Sequence, residues 1–367
     1  MICKRIRVSD FRNIAAAEVS FSQGVNLLVG KNAQGKTNLL EAIFYASLGK
    51  SFRTSSDEEM IRFGADLFEI SLDYADSVRE QNLTVRLLKG KRRRIEHNRV
   101  RLARVSDAVG LFRTVLFCPE HLSVVKEGPG ERRNFLDVAI SQLYPVYLRS
   151  LQNYNKILKQ RNQLLRTAGD DPKTFRETIE FWSAGLAKEA AVLSGYRKRY
   201  CERLDPKVKE IFSEMTGGGE VPALSYEPSL HVDPLLFDDE AAAEQAYLEK
   251  LTSNYEREIA AESTLWGIHK DDLFMELNGK AARMFASQGQ QRSLALAIKL
   301  AEGSICEEIC REMPVYLLDD VFSELDSIRR EYLAEKIGGR QVIITTCEEN
   351  LPAAGKIIRV ENGTYSE

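Results

Sequence analysis

Residues 30–37 of this chain are Gly30-Lys31-Asn32-Ala33-Gln34-Gly35-Lys36-Thr37. They fit the pattern G-x-x-x-x-G-K-[ST], which is typical of a phosphate-binding loop. Because glycine has no Cβ, Gly30 and Gly35 let the backbone turn tightly and point successive N–H groups at phosphate oxygens. We therefore predict that all eight residues bind ATP. Lys36 would contact the β- and γ-phosphates and act in catalysis, and Thr37 would bind Mg²⁺.

The residues on either side of this loop support the assignment. An apolar, strand-like run, Val25–Val29, precedes it, and residues 39–46 follow with a helical pattern. Strand, loop and helix are the setting that the motif requires, because a helix N-terminus attracts phosphate. The alternative is a glycine turn with an incidental lysine, and this context argues against it.

Composition indicates a globular protein. The chain has 367 residues, of which 44% are hydrophobic and 29% charged, enough for two domains or for one domain with a large insertion. No apolar run approaches the ~20 residues of a membrane helix, and the N-terminus lacks a signal-peptide core, so we expect a cytoplasmic protein that contacts no membrane. The six cysteines contain no C-x-x-C pair, which favours reduced thiols. The four histidines show no spacing typical of metal ligands.

Charge is distributed unevenly along the chain. The net charge is −3, but residues 83–104 carry nine Lys or Arg and one acid, whereas residues 233–262 carry nine acids and two bases. Such segregation allows a protein to hold a polyanion on one face. Residues 89–94 are either a solvated hairpin tip or a contact to a phosphate backbone. Three bases farther along the chain compete for that contact: Lys156, Lys159 and Arg161.

A second motif lies near the C-terminus. Four apolar residues at 315–318 are followed by Asp319 and Asp320. A buried parallel strand that ends in carboxylates can present them beside the phosphate loop. We expect Asp319 to bind Mg²⁺ together with Thr37, and Asp320 to orient the attacking water in catalysis.

Two further motifs accompany this strand. The sequence Ser287-Gln288-Gly289-Gln290-Gln291-Arg292 precedes a long apolar helix and resembles the ABC-ATPase signature S-G-G-Q, with Gln288 in place of the first glycine. At a helix N-terminus, Ser287, Gly289 and Gln290 could bind the γ-phosphate of ATP. The alternative is a simple helix cap. Residues 323–326, Ser-Glu-Leu-Asp, match the D-loop, and the motif order is that of ABC-type ATPases.

The middle of the chain is helical. Apolar residues from Tyr147 to Leu165 keep alternating spacings of four and three residues, residues 169–172 break the pattern, and a second helical pattern follows. Strand-like residues return at 272–285, with a hairpin turn at Asn278-Gly279. The sequence thus predicts an α/β fold. We expect an ABC-type P-loop ATPase head whose sheet is split by an inserted α-helical lobe. We predict domain segments at 1–145, 146–267 and 268–367.

Over its full length the chain resembles the RecF family, bacterial recombination-mediator ATPases whose heads are similar to those of structural-maintenance-of-chromosomes proteins and double-strand-break repair ATPases. Besides the motifs above, the resemblance is carried by three stretches: Phe11-Arg12-Asn13, Ser51-Phe52-Arg53-Thr54 and residues 119–137.

This resemblance implies a homodimer that forms head-to-tail when ATP binds. Lys36 and Thr37 of one copy would hold ATP that Ser287 and Gly289 of the other copy cap, and Arg12 is a further expected ATP contact. The dimer would clamp duplex DNA near single-strand gaps. The partner that the resemblance implies is RecR, acting with RecO to load RecA.

Departures from ABC transporters bear on the alternatives. Cys347 follows the strand after which transporter ATPases carry a histidine, and Asp320 stands where many relatives carry glutamate. Both suggest slow hydrolysis, which suits a switch better than a pump. The motor subunit of a membrane transporter is therefore the second hypothesis. A small-molecule phosphotransferase is the third, but it leaves the Ser287 and Ser323 motifs without a role.

Overall fold

The computed structural model of this chain describes residues 1–348 and 351–367. The described residues form two compact units. The first unit consists of Met1–Leu122, Ile211–Gly219 and Gln288–Glu367, and the second of Ser123–Glu210 and Glu220–Ser287. These limits differ from the domain limits at 145 and 267 that the sequence suggested, and those domain limits stay a prediction.

The strands and helices of the described residues have the following bounds. The strands are β1 (Ile2–Phe11), β2 (Ile14–Ser20), β3 (Val25–Val29), β4 (Leu67–Ala75), β5 (Glu80–Leu88), β6 (Arg94–His97), β7 (Val100–Arg101), β8 (Thr114–Phe117), β9 (Pro222–Glu227), β10 (Asp272–Leu277), β11 (Lys280–Ala281), β12 (Val315–Asp319), β13 (Val342–Thr346), β14 (Lys356–Glu361) and β15 (Thr364–Ser366). The helices are α1 (Lys36–Leu48), α2 (Ser123–Lys126), α3 (Pro129–Leu143), α4 (Pro145–Thr167), α5 (Pro172–Thr216), α6 (Glu240–Thr252), α7 (Tyr255–Ala260), α8 (Ala282–Phe285), α9 (Gln288–Cys310) and α10 (Ser327–Lys336). None of these helices combines the length and the hydropathy needed to cross a bilayer.

A mainly parallel sheet is the centre of the first unit. Its strand order is β15-β14-β3-β13-β12-β8, and β15 alone runs antiparallel to its neighbour. β13 lies between β3 and β12, so that Thr345 is opposite Leu28 on one side and Asp319 on the other. Because parallel strands end at the same edge of a sheet, this topology brings the loop after β3 and the carboxylates after β12 together.

α1 is held between this sheet and a second, antiparallel sheet of order β2-β1-β4-β5-β6-β7. Eleven of its thirteen residues are buried, as is typical of a helix that is apolar on all sides. The helix ends at Gly49, which has a φ of 64° and donates its N–H to the Tyr45 carbonyl at 2.8 Å. The phosphate-loop helix is therefore held between two sheets and capped at its C-terminal end.

In the second unit, α4 and the part of α5 up to Glu210 run antiparallel to each other. Asn153 bonds to Glu189, and nearer the other end of the pair Arg161 bonds to Ser183. The apolar stripe from Tyr147 to Leu165 is confirmed as the buried face of α4. Arg161 is 0% exposed and forms an ion pair with the equally buried Glu258. It is therefore removed from the candidates for DNA contact.

The strand pattern at 272–285 is confirmed only in part. β10 pairs with β9 in a three-stranded sheet of the second unit. The predicted strand after the Asn278-Gly279 turn ends at Ala281, and residues 282–285 form a short helix instead. Alanine, arginine and methionine there favour helix, and their propensity prevails over the alternation.

Candidate nucleotide-binding site

The predicted phosphate loop connects β3 to α1 in the first unit. Gly30 passes so close to β14 that a Cβ at this position would lie 2.3 Å from the Val360 carbonyl oxygen. Gly35 has a φ of 115°, and Ala33 has a φ of 64°, a conformation that costs a residue other than glycine about 1–2 kcal/mol. The glycines of the motif are thus required by the backbone path, and the loop is strained in the way that binding sites often are.

Lys36 is the first residue of α1, and it is only 7% exposed. Its Nζ donates to the carbonyl oxygens of Gly30 at 2.5 Å and of Lys31 at 2.9 Å. Cys347 lies on the other side, with its Sγ 3.4 Å from Nζ and 3.1 Å from Asn32 Oδ1. The backbone carbonyls of the loop thus bind the ammonium group of Lys36. The cysteine stands where transporter ATPases carry a histidine.

Thr37 and Asp319 meet although they are 282 residues apart in the sequence. Thr37 Oγ1 donates to Asp319 Oδ1 at 2.8 Å, and Asp319 is 7% exposed at the end of β12. The described residues contain no cluster of three or more His, Cys, Asp and Glu side chains that could hold a metal ion. Mg²⁺ does not need such a cluster, since it commonly takes one or two protein oxygens and completes its shell with water and phosphate. The pair fits Mg²⁺.

Thr345 is a site residue that the sequence analysis missed. Its hydroxyl donates to Asp319 Oδ1 at 2.6 Å and accepts the N–H of Asp320 at 2.9 Å. Asp320 has a φ of 51°, so this contact holds its backbone in the left-handed region. The two threonines that end the otherwise apolar strand β13 were the only signal available in the sequence.

Arg12 lies beside the loop helix but is occupied by protein contacts. Its Nε and Nη2 donate to the two oxygens of Glu41 at 2.9 and 2.7 Å, and Nη1 donates to the Glu59 carbonyl at 3.0 Å. Glu41 is 0% exposed, and it also accepts from Arg53 and Ser51. Paired carboxylate contacts of this kind fix a guanidinium firmly. The structure therefore shows Arg12 bracing α1, and a contact to ATP stays a prediction.

The C-terminal hairpin of β14 and β15 supports the loop from outside. The N–H groups of Asn362 and Gly363 donate to the side-chain and main-chain oxygens of Gln34, at 2.7 and 2.8 Å. Tyr365 donates its hydroxyl to the Gly35 carbonyl at 2.9 Å, and burial raises the pKa of this phenol above its usual value. These contacts were not predicted, because nothing in a sequence relates residues that are 330 positions apart.

The signature and D-loop segments also meet. Ser287 is exposed and directly precedes α9. Within the first unit, Arg292 Nη2 bonds to Glu324 of the D-loop at 2.7 Å. Arg329, just after the D-loop, donates from Nε to Ser293 Oγ at 2.7 Å. Gly289 and Gln290 form the first turn of α9, and a Cβ on Gly289 would be 3.6 Å from Arg329. The start of α9 is thereby joined to the segment that follows the carboxylates.

Comparison with known proteins gives one consistent family. Residues 2–364 match the family described as RecF/RecN/SMC N terminal domain. The chain is 39% identical over 374 residues to the DNA replication and repair protein RecF of Clostridium acetobutylicum, with 100% of both chains covered.

Solved structures give the same result. One is described as the recombination mediator protein RecF-ATPrS in the RecFOR pathway, with a TM-score of 0.93, 33% identity, and 99% of this chain and 97% of that chain covered. Another, described as RecF-ATP in the same pathway, has a TM-score of 0.91, 33% identity, and coverage of 100% and 98%. The predicted fold, an ABC-type ATPase head with a helical lobe, is confirmed. The chain belongs to the RecF family of DNA replication and repair proteins.

Proposed function

We propose that this chain is an ATP-dependent DNA-binding switch that acts as a recombination mediator. ATP closes a head-to-tail homodimer around duplex DNA near single-strand gaps, and slow hydrolysis opens it again. The observation that carries the proposal is the 2.8 Å contact between Thr37 of the loop and Asp319 of the strand end. It joins the phosphate loop to a carboxylate at a strand end, the arrangement with which a nucleoside triphosphatase holds nucleotide and metal.

In the first unit, different residues bind the phosphates, the metal ion and the attacking water. The backbone N–H groups of residues 30–35 and the ammonium of Lys36 bind the phosphates of ATP. Thr37 and Asp319 hold Mg²⁺, which neutralises charge on the β- and γ-phosphates when it is bound. Asp320 orients the attacking water, in the backbone position that Thr345 fixes. Asp320 stands where many relatives carry glutamate, which supports slow turnover.

The second half of the site comes from another copy. Ser287 is exposed at the start of α9, and Gly289 and Gln290 follow it in the first helical turn. A helix N-terminus presents N–H groups and a positive dipole, so it can bind the γ-phosphate of a nucleotide held by the other copy. ATP would then contact both copies, so dimerisation would require ATP.

The relatives supply the context of this switch. The two RecF structures similar to this chain are described as belonging to the RecFOR pathway. We extend that context to this chain as a cytoplasmic protein whose partners are gapped duplex DNA and RecR, which acts with RecO to load RecA. No observation favours a transporter subunit.

Sedimentation velocity with and without ATP tests the proposal in three proteins: wild type, Lys36→Met and Ser287→Arg. We expect ATP to produce dimers of the wild type alone. Lys36→Met should lose at least about tenfold in ATP affinity, because a charged hydrogen-bond donor is removed. Ser287→Arg should bind ATP normally as a monomer. Equal dimerisation of all three proteins would overturn the proposal.

A further inference from the structure

A basic groove lies in the first unit, beside the turn that joins β5 to β6. It has a volume of about 680 Å³, and six basic and two acidic residues line it. The basic residues are Lys91, Arg92, Arg93, Arg94, Arg101 and Arg104, and the acidic ones are Asp57 and Glu58. On a chain whose net charge is −3, this concentration of positive charge is a local feature of the surface.

The structure divides the basic run of the sequence into two classes. Arg93 is half-buried and forms an ion pair with Asp57 at 3.2 Å, and Arg94 forms one with Glu96 at 2.7 Å. Lys91 and Arg92 are exposed, and no described residue forms an ion pair with either. The same holds for Arg101 and Arg104, which the fold adds from beyond β6. Four uncompensated cations therefore face solvent along this groove.

Arg93 connects the groove to the phosphate-loop helix. Its Nη1 donates to the Gly49 carbonyl at the C-terminal end of α1 and to the Tyr45 hydroxyl at 3.1 Å. A cation in this position also complements the negative end of the helix dipole. α1 begins at Lys36, so a single helix has the proposed ATP phosphates at one end and the groove at the other.

We infer that this groove binds the phosphate backbone of duplex DNA, with Lys91, Arg92, Arg101 and Arg104 as phosphate contacts and Arg93 as the positioning residue that fixes them to α1. This inference rests on the proposed function and assigns its DNA surface. Exposed cations without ion-pair partners break no protein contact when they bind phosphates, and the release of counterions from the DNA favours binding. Contacts of this kind carry no sequence preference, as is suitable for a protein that acts at gaps in any sequence.

The test compares charge reversals in the groove with charge reversals at two other surfaces. Lys91→Glu combined with Arg92→Glu alters the groove. Arg79→Glu serves as the control, because Arg79 is exposed, has no ion pair among the described residues and lies at the far end of β5, about 30 Å away. Lys156→Glu combined with Lys159→Glu tests the rival surface on α4. Anisotropy of labelled gapped duplex DNA is measured with ATP over a salt series, and ATP affinity shows that each variant is folded.

We expect the groove variant to bind DNA at least about tenfold more weakly than the wild type and to lower the slope of log K against log salt by about 2. Arg79→Glu should match the wild type in both quantities. The inference is overturned if the groove variant retains the wild-type affinity and slope, or if only the α4 variant changes them. Failure of the wild type to bind DNA at any salt concentration would instead contradict the proposed function.

Discussion

The two halves of the proposed ATP site differ in how far a single chain completes them. Lys36 and Asp319 are each 7% exposed, and both are hydrogen-bonded within the first unit. Ser287, by contrast, is exposed at the start of α9. The phosphate-loop half is thus built before any partner arrives, whereas the signature half faces outward. This difference is what a site shared between two copies requires.

Substitution of Asp319 should impair the phosphate-loop half of the site most strongly. Asp319→Asn removes the charge that would hold Mg²⁺ and that accepts the hydroxyls of Thr37 and Thr345. We expect ATP turnover to fall at least about 100-fold, as is typical when a preorganised electrostatic group is lost. Steady-state phosphate release with varied Mg²⁺ measures it. The exposed Asp66→Asn is the control and should keep full turnover. A loss of less than about threefold in Asp319→Asn would contradict the metal-binding role.

The same half also depends on a buried ion pair for its stability. Glu41→Gln leaves the Arg12 guanidinium without its paired carboxylate oxygens. We expect the free energy of unfolding to fall by about 3 kcal/mol, because Glu41 is 0% exposed. Urea denaturation measures the change. Glu18→Gln removes an exposed partner of Arg5 and should change stability by less than about 0.5 kcal/mol. Equal effects of the two substitutions would show that the Arg12–Glu41 ion pair does not brace α1.

A smaller effect is expected at Thr345. Thr345→Val keeps the shape of the side chain but removes the hydroxyl that links Asp319 to the Asp320 backbone. Loss of these hydrogen bonds should lower turnover about tenfold while ATP affinity changes little. The neighbouring Thr346→Val is the matched control, because Thr346 is also buried but its hydroxyl bonds to the Glu348 N–H. Turnover equal in the two variants would remove Thr345 from the site.

Much of the fold followed from the sequence because its motifs carry their own context. A glycine-rich loop between strand and helix predicted the position of Lys36, and four apolar residues followed by Asp319 predicted the strand beside it. Local pattern was sufficient in these cases, because the topology of a parallel sheet then brings the strand ends together.

The remainder depended on contacts that no local pattern encodes. β10 has an ordinary alternating pattern, and nothing in it states that its neighbour is β9 rather than a strand of the parallel sheet. Arg161 looked like a surface base within an apolar stripe, but Glu258, 97 residues away, makes its burial possible. The supporting role of Glu41 could not be predicted for the same reason, since its partner Arg12 lies in the turn between β1 and β2.

If two copies hold ATP jointly, two proteins with different defects should restore each other's binding when they are mixed. Lys36→Met retains a functional Ser287, and Ser287→Arg retains a functional Lys36, so a mixed dimer contains one intact ATP site. Energy transfer between differently labelled variants reports their association. We predict that neither variant self-associates with ATP and that the mixture does, more weakly than the wild type. Absence of association in the mixture, or ATP-dependent dimers of Ser287→Arg alone, would contradict joint binding.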